Sequence, residues 1–127
     1  MNWSKKRVLV TGGASFIGSH LVEKLVALGA GVVVADDLSS GRKEHLSKVQ
    51  SDITLRIGDL RDRCFADRCM KDIDVVFHLA ASHGGRGYIA THPAECSSNM
   101  VLDGIVFDSA YRAGVKKVCF ASSACVY

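Results

Sequence analysis

A glycine-rich segment near the N-terminus has the residue types that suit binding of a phosphate group. The segment, Thr11-Gly12-Gly13-Ala14-Ser15-Phe16-Ile17-Gly18, joins a short apolar run to a helical pattern. Gly12 permits a tight turn, Gly18 lets helix and strand approach closely, and the helix N-terminus offers free N–H groups to a pyrophosphate. A Walker P-loop is excluded because no Gly-Lys-Ser/Thr follows. The alternative interpretation is a glycine-rich turn without function.

Two carboxylates, Asp36 and Asp37, follow the next apolar run, about 20 residues beyond the loop as in dinucleotide-binding domains. A carboxylate at this place accepts hydrogen bonds from both ribose hydroxyls and repels a 2′-phosphate. The pair therefore predicts NAD as the cofactor. Arg42 favours the opposite choice, since a nearby arginine accommodates a phosphate. The alternative for the pair is a solvated strand end.

The elements that must position these residues alternate between strand and helix. Strands are predicted at residues 7–11, 31–35, 53–57, 75–79 and 118–121, the third with the alternation of a more exposed edge strand. Helices are predicted from a stripe at Ile17, Leu21, Leu25 and Leu28, over residues 61–70, and from Pro93 to Gly114. This alternation predicts one α/β domain over residues 1–127: a Rossmann-type parallel sheet of about five strands, order 3-2-1-4-5, flanked by helices. A ligand should bind beyond the carboxyl ends of strands one and four.

The loop sequence TGGASFIGSHL resembles the TGGAGFIGSHL opening of the extended short-chain dehydrogenase/reductase family, the NAD-dependent epimerases and dehydratases. Ser15 stands where that family has its middle glycine, so we expect adjusted rather than lost cofactor binding. The segment ADDLSSGR resembles the family's DNLSSGR, which implies Asp36 on the ribose and Asp37 near the adenine.

Three further segments resemble cofactor motifs of the same family. GDLR resembles GDLRD, which implies Asp59 and Leu60 at the adenine; alone, Asp59 is equally a helix cap. HLAA, from His78 to Ala81, resembles a motif whose backbone passes close to the cofactor. Considered without the motif, His78 is expected to be a hydrogen-bonded histidine at a strand end rather than a catalyst. Asn99 matches the start of N-V-x-G-T on the nicotinamide side, with Leu102 and Asp103 replacing Gly-Thr; the alternative is a plain polar helix residue. The implied cofactor residues are Gly12, Ser15, Phe16, Ile17, Gly18, Asp36, Asp37, Ser39, Asp59, Leu60, Leu79, Ala80, Ala81 and Asn99.

The last strand is followed by residues that resemble the family's reactive end. FASSACVY resembles F-x-S-S-A-x-V-Y-G, which implies that Ser123 hydrogen-bonds the reacting sugar hydroxyl. SSACVY and AASHGGRGYI also resemble GDP-mannose 3,5-epimerases, in which the cysteine is an acid/base, so Cys125 is a second catalytic candidate. A thiol can serve this way when its pKa is lowered. The alternative for Cys125 is a small buried strand-end residue.

The family's catalytic Tyr-x-x-x-Lys does not occur in the 127 residues. We expect the NAD(H)-binding front part of a nucleotide-sugar epimerase or dehydratase, which acts by transient oxidation of the sugar. The C-terminal substrate domain is expected to be absent, and the chain is not expected to turn over alone. The alternatives are a stand-alone dinucleotide-binding module and a non-catalytic interaction protein with a Rossmann shape.

Composition limits the remaining possibilities. The net charge of +3 comes from scattered basic residues, so no nucleic-acid partner is expected, and the apolar runs are too short for a membrane span. The five cysteines have no metal-binding spacing, and their odd number without an export signal favours a cytoplasmic protein. The apolar edge at residues 118–121 predicts a homo-oligomer.

Overall fold

The fold is built on five short strands that form one parallel sheet. The computed structural model describes residues 1–122. The strands are β1 (Arg7–Thr11), β2 (Gly31–Asp36), β3 (Ile53–Ile57), β4 (Val75–His78) and β5 (Lys117–Phe120). Their order is β3-β2-β1-β4-β5, and each neighbouring pair is parallel. The predicted Rossmann-type α/β fold and its strand order are confirmed.

Helices connect the strands and cover both faces of the sheet. They are α1 (Phe16–Ala27), α2 (Arg63–Met70), α3 (Arg86–Thr91) and α4 (Pro93–Arg112). Short 3₁₀ segments lie at Trp3–Lys5 and Lys43–Asp52. Neither α3 nor the 3₁₀ segments were predicted. In the longer segment the buried residues Leu46 and Val49 are three positions apart, which matches the 3₁₀ repeat rather than an α-helical stripe.

The central strand β1 is buried on both faces, because successive side chains point to opposite sides of the sheet. Val8 and Val10 pack with Val22 and Leu25 of α1, whereas Leu9 belongs to a second cluster with residues of α2 and α4. This explains why β1 is a continuous apolar run, as expected for a parallel sheet covered by helices. Within residues 1–122, no helix is both long and apolar enough to cross a membrane.

The predicted apolar stripe of α1 is confirmed in its middle, where Leu25 is buried and Leu21 packs against the same core cluster, and is wrong at its two ends. Helix α1 buries Gly18, Val22 and Leu25, while Ile17 and Leu28 of the predicted stripe are 69% and 43% exposed. The exposure of Ile17 follows from the start of the helix, where Gly18 rather than Ile17 lies against the preceding loop. A Cβ atom at Gly18 would lie 2.2 Å from the carbonyl oxygen of Gly12.

Replacement of Gly18 by alanine should therefore disrupt the joint between β1 and α1. We expect Gly18→Ala to lower the free energy of unfolding by about 3 kcal/mol, because backbone atoms of the loop must move. Gly104→Ala is the matched control, since no atom lies within 4 Å of the added Cβ in α4. It should raise stability by about 1 kcal/mol through helix propensity. Urea unfolding measures both changes, and equal effects at the two positions would contradict the packing argument.

Candidate functional site

A cleft of about 470 Å³ lies at the carboxyl ends of the strands. Its walls come from the loop after β1, the ends of β2, β3 and β4, and the first half of α4. The predicted cofactor residues that line it are Gly12, Ser15, Asp36, Asp37, Ser39, Asp59, Leu60, Leu79, Ala80, Ala81 and Asn99. Phe16, Ile17 and Gly18 begin α1 beside the cleft without lining it. The catalytic candidates Ser123 and Cys125 lie outside the described residues.

The loop after β1 packs against the backbone of the segment that follows β4. Gly12 has a φ of +68°, and a Cβ atom there would lie 2.9 Å from the backbone nitrogen of Ala80. The Gly12 N–H donates to the carbonyl of Ala35 at 2.8 Å. Glycine is therefore required at this position both by the backbone conformation and by the lack of space.

Ser15, the departure from the family's glycine, caps helix α1. Its hydroxyl donates to the carbonyl of Gly12 at 2.7 Å and accepts from the N–H of Gly18 at 3.2 Å. This satisfies one of the N–H groups that have no partner within a helix. The N–H groups of Phe16 and Ile17, at the first helical positions, also have no partner within the helix.

Asp36 is nearly buried, and its carboxylate joins the end of β2 to the phosphate loop. One oxygen accepts from the N–H of Ala14 and the other from the N–H of Leu38, both at 2.9 Å. Each carboxylate oxygen keeps a lone pair for a further donor. Asp37 is exposed and accepts from the N–H and the hydroxyl of Ser39. Arg42 is also exposed and is not among the described residues that line the cleft.

Asp59 is not the cap of α2, because Asp62 takes that role. Instead, Asp59 accepts from the N–H of Arg61 and pairs with its guanidinium at 2.7 Å. The hydrogen bonds from Arg61 lower the pKa of Asp59. Arg61 also donates to the hydroxyl of Ser98 on α4 at 3.3 Å. Arg61 lines the cleft and was missed from the sequence, although it directly follows the Gly-Asp-Leu motif.

Charge in the cleft is predominantly negative. Among the described residues that line it, four carboxylates (Asp36, Asp37, Asp59 and Glu95) face the single guanidinium of Arg61. That guanidinium is already paired with Asp59. An additional phosphate group close to these carboxylates would therefore be unfavourable, because like charges repel at short range.

Asn99 holds the chain that follows β4. Its amide oxygen accepts from the N–H of Ser82 at 2.7 Å, and its amide nitrogen donates to the carbonyl of Ser82 at 2.8 Å. Tyr88 of α3 also lines the cleft, with its hydroxyl 3.4 Å from that of Ser82 and its ring stacked on His92. Ser82 and Tyr88 were not predicted, because their contacts depend on where α3 and α4 cross the end of β4.

His78 is buried at the end of β4 and is hydrogen-bonded on both ring nitrogens, as predicted for a strand-end histidine. Nδ1 lies 2.7 Å from the hydroxyl of Thr11, and Nε2 lies 3.0 Å from a carboxylate oxygen of Asp103. Burial lowers the pKa of His78, and the Asp103 carboxylate opposes part of that effect. The imidazole is therefore neutral at physiological pH.

The fold and the place of the cleft are those of Rossmann-type nucleotide-binding domains. A more specific assignment comes from comparison with known families. Residues 8–127 match the NAD dependent epimerase/dehydratase family, and the chain belongs to it. This confirms the resemblance carried by the loop and strand-end motifs.

Curated relatives and solved structures agree with this family. UDP-glucose 4-epimerase of Azospirillum brasilense is 37% identical, over 95% of this chain and 34% of the relative. GDP-mannose 3,5-epimerase 1 of Oryza sativa subsp. indica is 33% identical, over 97% of this chain and 32% of the relative. The chain thus spans about a third of the length of these relatives.

Two solved structures show the same arrangement of strands and helices. A UDP-galactose 4-epimerase superposes with a TM-score of 0.83 and 45% identity, over 95% of this chain and 39% of that protein. UDP-glucose 4-epimerase from Brucella ovis, in complex with NAD, superposes with a TM-score of 0.86 and 30% identity, over 96% of this chain and 37% of that protein.

The buried, neutral His78 should make stability depend on pH. Because its pKa is lowered in the folded chain, the unfolded chain binds a proton between that lowered value and the ordinary value of about 6.5. The contribution of His78 to the free energy of unfolding is therefore complete above pH 6.5 and is lost as the pH falls through this window. Urea unfolding from pH 7.5 down to the onset of acid unfolding measures the slope.

His78→Gln provides the comparison, because the other four histidines are unchanged in it. We expect the variant to be less stable at pH 7.5 and to show a smaller loss of stability as the pH falls. Identical slopes in the two proteins would show that His78 takes up its proton equally well in the folded and unfolded chains.

Proposed function

We propose that residues 1–127 form the NAD(H)-binding domain of a nucleotide-sugar epimerase or dehydratase that acts by transient oxidation of the sugar. One observation carries the proposal: the segments that resemble the family's cofactor motifs come from four separate strand ends and line a single cleft. Its volume is in the range of cofactor pockets. A non-catalytic Rossmann-shaped protein would have no need of this convergence.

The residues of the cleft fit a dinucleotide. The N–H groups at Phe16 and Ile17 suit the pyrophosphate, since they lie at the positive end of the α1 dipole. The Asp36 carboxylate suits the ribose hydroxyls, and Asp37, Ser39, Asp59 and Leu60 suit the adenine end. The backbone from Leu79 to Ala81, with Asn99 behind it, suits the nicotinamide end.

The reaction proposed for the whole protein needs groups beyond this cleft. Bound NAD⁺ would supply the acceptor for a hydride from the sugar. Ser123 is proposed to orient the sugar hydroxyl, and Cys125 to exchange a proton with the sugar carbon. Because no Tyr-x-x-x-Lys occurs in the 127 residues, we expect this chain to bind the cofactor without turnover by itself.

Calorimetric titration of the purified chain tests the cofactor proposal. We expect NAD⁺ to bind at least about tenfold more tightly than NADP⁺, because of the carboxylates beside the ribose position. Asp36→Asn should weaken NAD⁺ binding about tenfold, since it removes a charged acceptor and loosens the bond to Ala14. Asp52→Asn, at an exposed carboxylate outside the cleft, is the matched control and should leave the affinity unchanged.

The outcomes separate the possibilities. A folded chain that binds neither dinucleotide would refute the proposal, and equal affinities for NAD⁺ and NADP⁺ would refute the role of the carboxylates. Ser15→Gly should change the NAD⁺ affinity only modestly. A large gain in affinity would show that the serine hinders the pyrophosphate.

Self-association and location in the cell are further proposals. Within residues 1–122, β5 has β4 as its one neighbouring strand, and Phe120 on β5 is half exposed. An edge of this kind pairs readily with another chain, so we propose a homo-oligomer in which two copies meet at β5. The described cysteines, Cys64, Cys69, Cys96 and Cys119, are free thiols, which agrees with the proposed cytoplasmic setting.

Analytical ultracentrifugation tests the proposed oligomer. We expect a dimer or larger species at micromolar concentration, and Cys119→Lys, at a β5 residue that belongs to neither core cluster, should shift it toward the monomer because a charge on an edge strand opposes pairing. A monomer whose β5 amides are well protected from hydrogen exchange would contradict the proposal.

A further inference from the structure

A chain of hydrogen bonds connects α4 to the wall of the cleft. It passes through the side chains of Asp103, His78 and Thr11, none of which lines the cleft. We propose that Asp103, through His78 and Thr11, sets the position of the backbone at Leu79 and Ala80 against which the cofactor binds. Asp103 and His78 are thus positioning residues for the cofactor. The effect on cofactor binding rests on the proposed NAD(H) function, whereas the hydrogen-bond chain itself does not.

The bonds around Thr11 favour one arrangement of protons. Its hydroxyl oxygen accepts from the N–H groups of Leu79 and Ala80, both at 3.1 Å, and the Leu79 N–H is shared with the backbone carbonyl of Thr11 at 3.2 Å. A hydroxyl has two lone pairs and one proton, so its proton is the group left for the contact with His78. Thr11 therefore donates to Nδ1 of His78, which must be unprotonated.

The imidazole transmits this requirement to α4. A neutral histidine with an unprotonated Nδ1 carries its proton on Nε2, and Nε2 lies 3.0 Å from the Asp103 carboxylate. An ionised carboxylate has no proton to donate and can only accept a hydrogen bond, so it favours the tautomer with the proton on Nε2. The pKa of His78, lowered by burial, keeps the ring neutral and agrees with the assignment.

A proton added to Nδ1 would break the chain. It would point at the Thr11 hydroxyl oxygen and compete with the N–H groups of Leu79 and Ala80, and Leu79 would keep only its bond to the Thr11 carbonyl. The groups that face the ring are Thr11 of β1, Asp103 and Phe107 of α4, and Phe120 of β5. The rings of Phe107 and Phe120 shield the imidazole from water, so among residues 1–122 its two nitrogens have only Thr11 and Asp103 as hydrogen-bond partners.

The far end of the chain lies in the cleft itself. Leu79 and Ala80 line the cleft, and the backbone nitrogen of Ala80 is the atom closest to a Cβ built on Gly12. A shift of this backbone therefore moves the wall at the nicotinamide end and the packing of the phosphate loop together.

Nuclear magnetic resonance of the ¹⁵N-labelled chain without cofactor tests the hydrogen-bond chain directly. Long-range ¹H–¹⁵N correlation of His78 should show the proton on Nε2. Asp103→Ala should abolish that preference and increase the hydrogen-exchange rates of the Leu79 and Ala80 amides about tenfold. Asp103→Asn keeps an oxygen that accepts from Nε2–H, so it should restore the tautomer and slow exchange.

Titration with NAD⁺ tests the consequence for binding. Asp103→Ala should raise the Kd about tenfold, and Asp103→Asn should recover most of the affinity. Asp108→Ala is the matched control, because this α4 carboxylate pairs with Arg63 and Arg112 on the side facing α2. It should leave both the tautomer and the Kd unchanged.

The results distinguish this inference from the proposed function. A proton on Nδ1 in the unaltered chain, or exchange rates unaffected by Asp103→Ala, would overturn the hydrogen-bond chain whether or not NAD⁺ binds. An altered tautomer with an unchanged Kd would overturn the positioning role. Failure of the unaltered chain to bind NAD⁺ would refute the proposed function and the positioning role, while the assigned tautomer would still be decided by the spectra.

Discussion

Backbone meets backbone where the chain leaves β1, and no side chain fits between the two segments. A Cβ atom at Gly12 would approach the backbone of Ala80 within 2.9 Å, and one at Gly18 would approach the carbonyl of Gly12 within 2.2 Å. This close approach brings the start of α1, the end of β1 and the end of β4 into one compact joint. The cleft opens above that joint, so the shape of the site depends on two glycines that contribute no functional group.

Polar groups at the strand ends form hydrogen bonds within this joint in the absence of any ligand. Asp36 accepts from the loop N–H of Ala14, and Thr11 accepts from the N–H groups of Leu79 and Ala80. Buried polar atoms need such partners, because an unpaired one costs about 1–3 kcal/mol. A site built in this way is arranged before the ligand arrives, which reduces the ordering that binding must bring about.

Much of this could be predicted from the sequence, for identifiable reasons. The buried strands are continuous apolar runs, and the strand order is that of the dinucleotide-binding fold, which the glycine-rich loop after β1 indicates. The stripe predicted for α1 holds at Leu21 and Leu25 but fails at Ile17, because a stripe of large side chains ignores Gly18, which is buried for lack of a side chain rather than for its hydrophobicity. Ser82 was missed because its bonds to Asn99 form only where α4 crosses the end of β4, and Tyr88 was missed because α3 was not predicted. Arg61 has a local signal, since it pairs with Asp59 two residues away, and only its bond to Ser98 depends on α4.

Ser15 shows why a departure from a family motif need not remove its function. The backbone there has φ −78° and ψ 175°, an extended conformation that any residue adopts, so glycine is not required for its torsion angles. The serine hydroxyl is bonded to Gly12 and Gly18 of its own loop. It therefore satisfies a helix N–H that glycine would leave without a partner, while the N–H groups of Phe16 and Ile17 remain for an anion. The loop gains a cap and keeps its proposed role in phosphate binding.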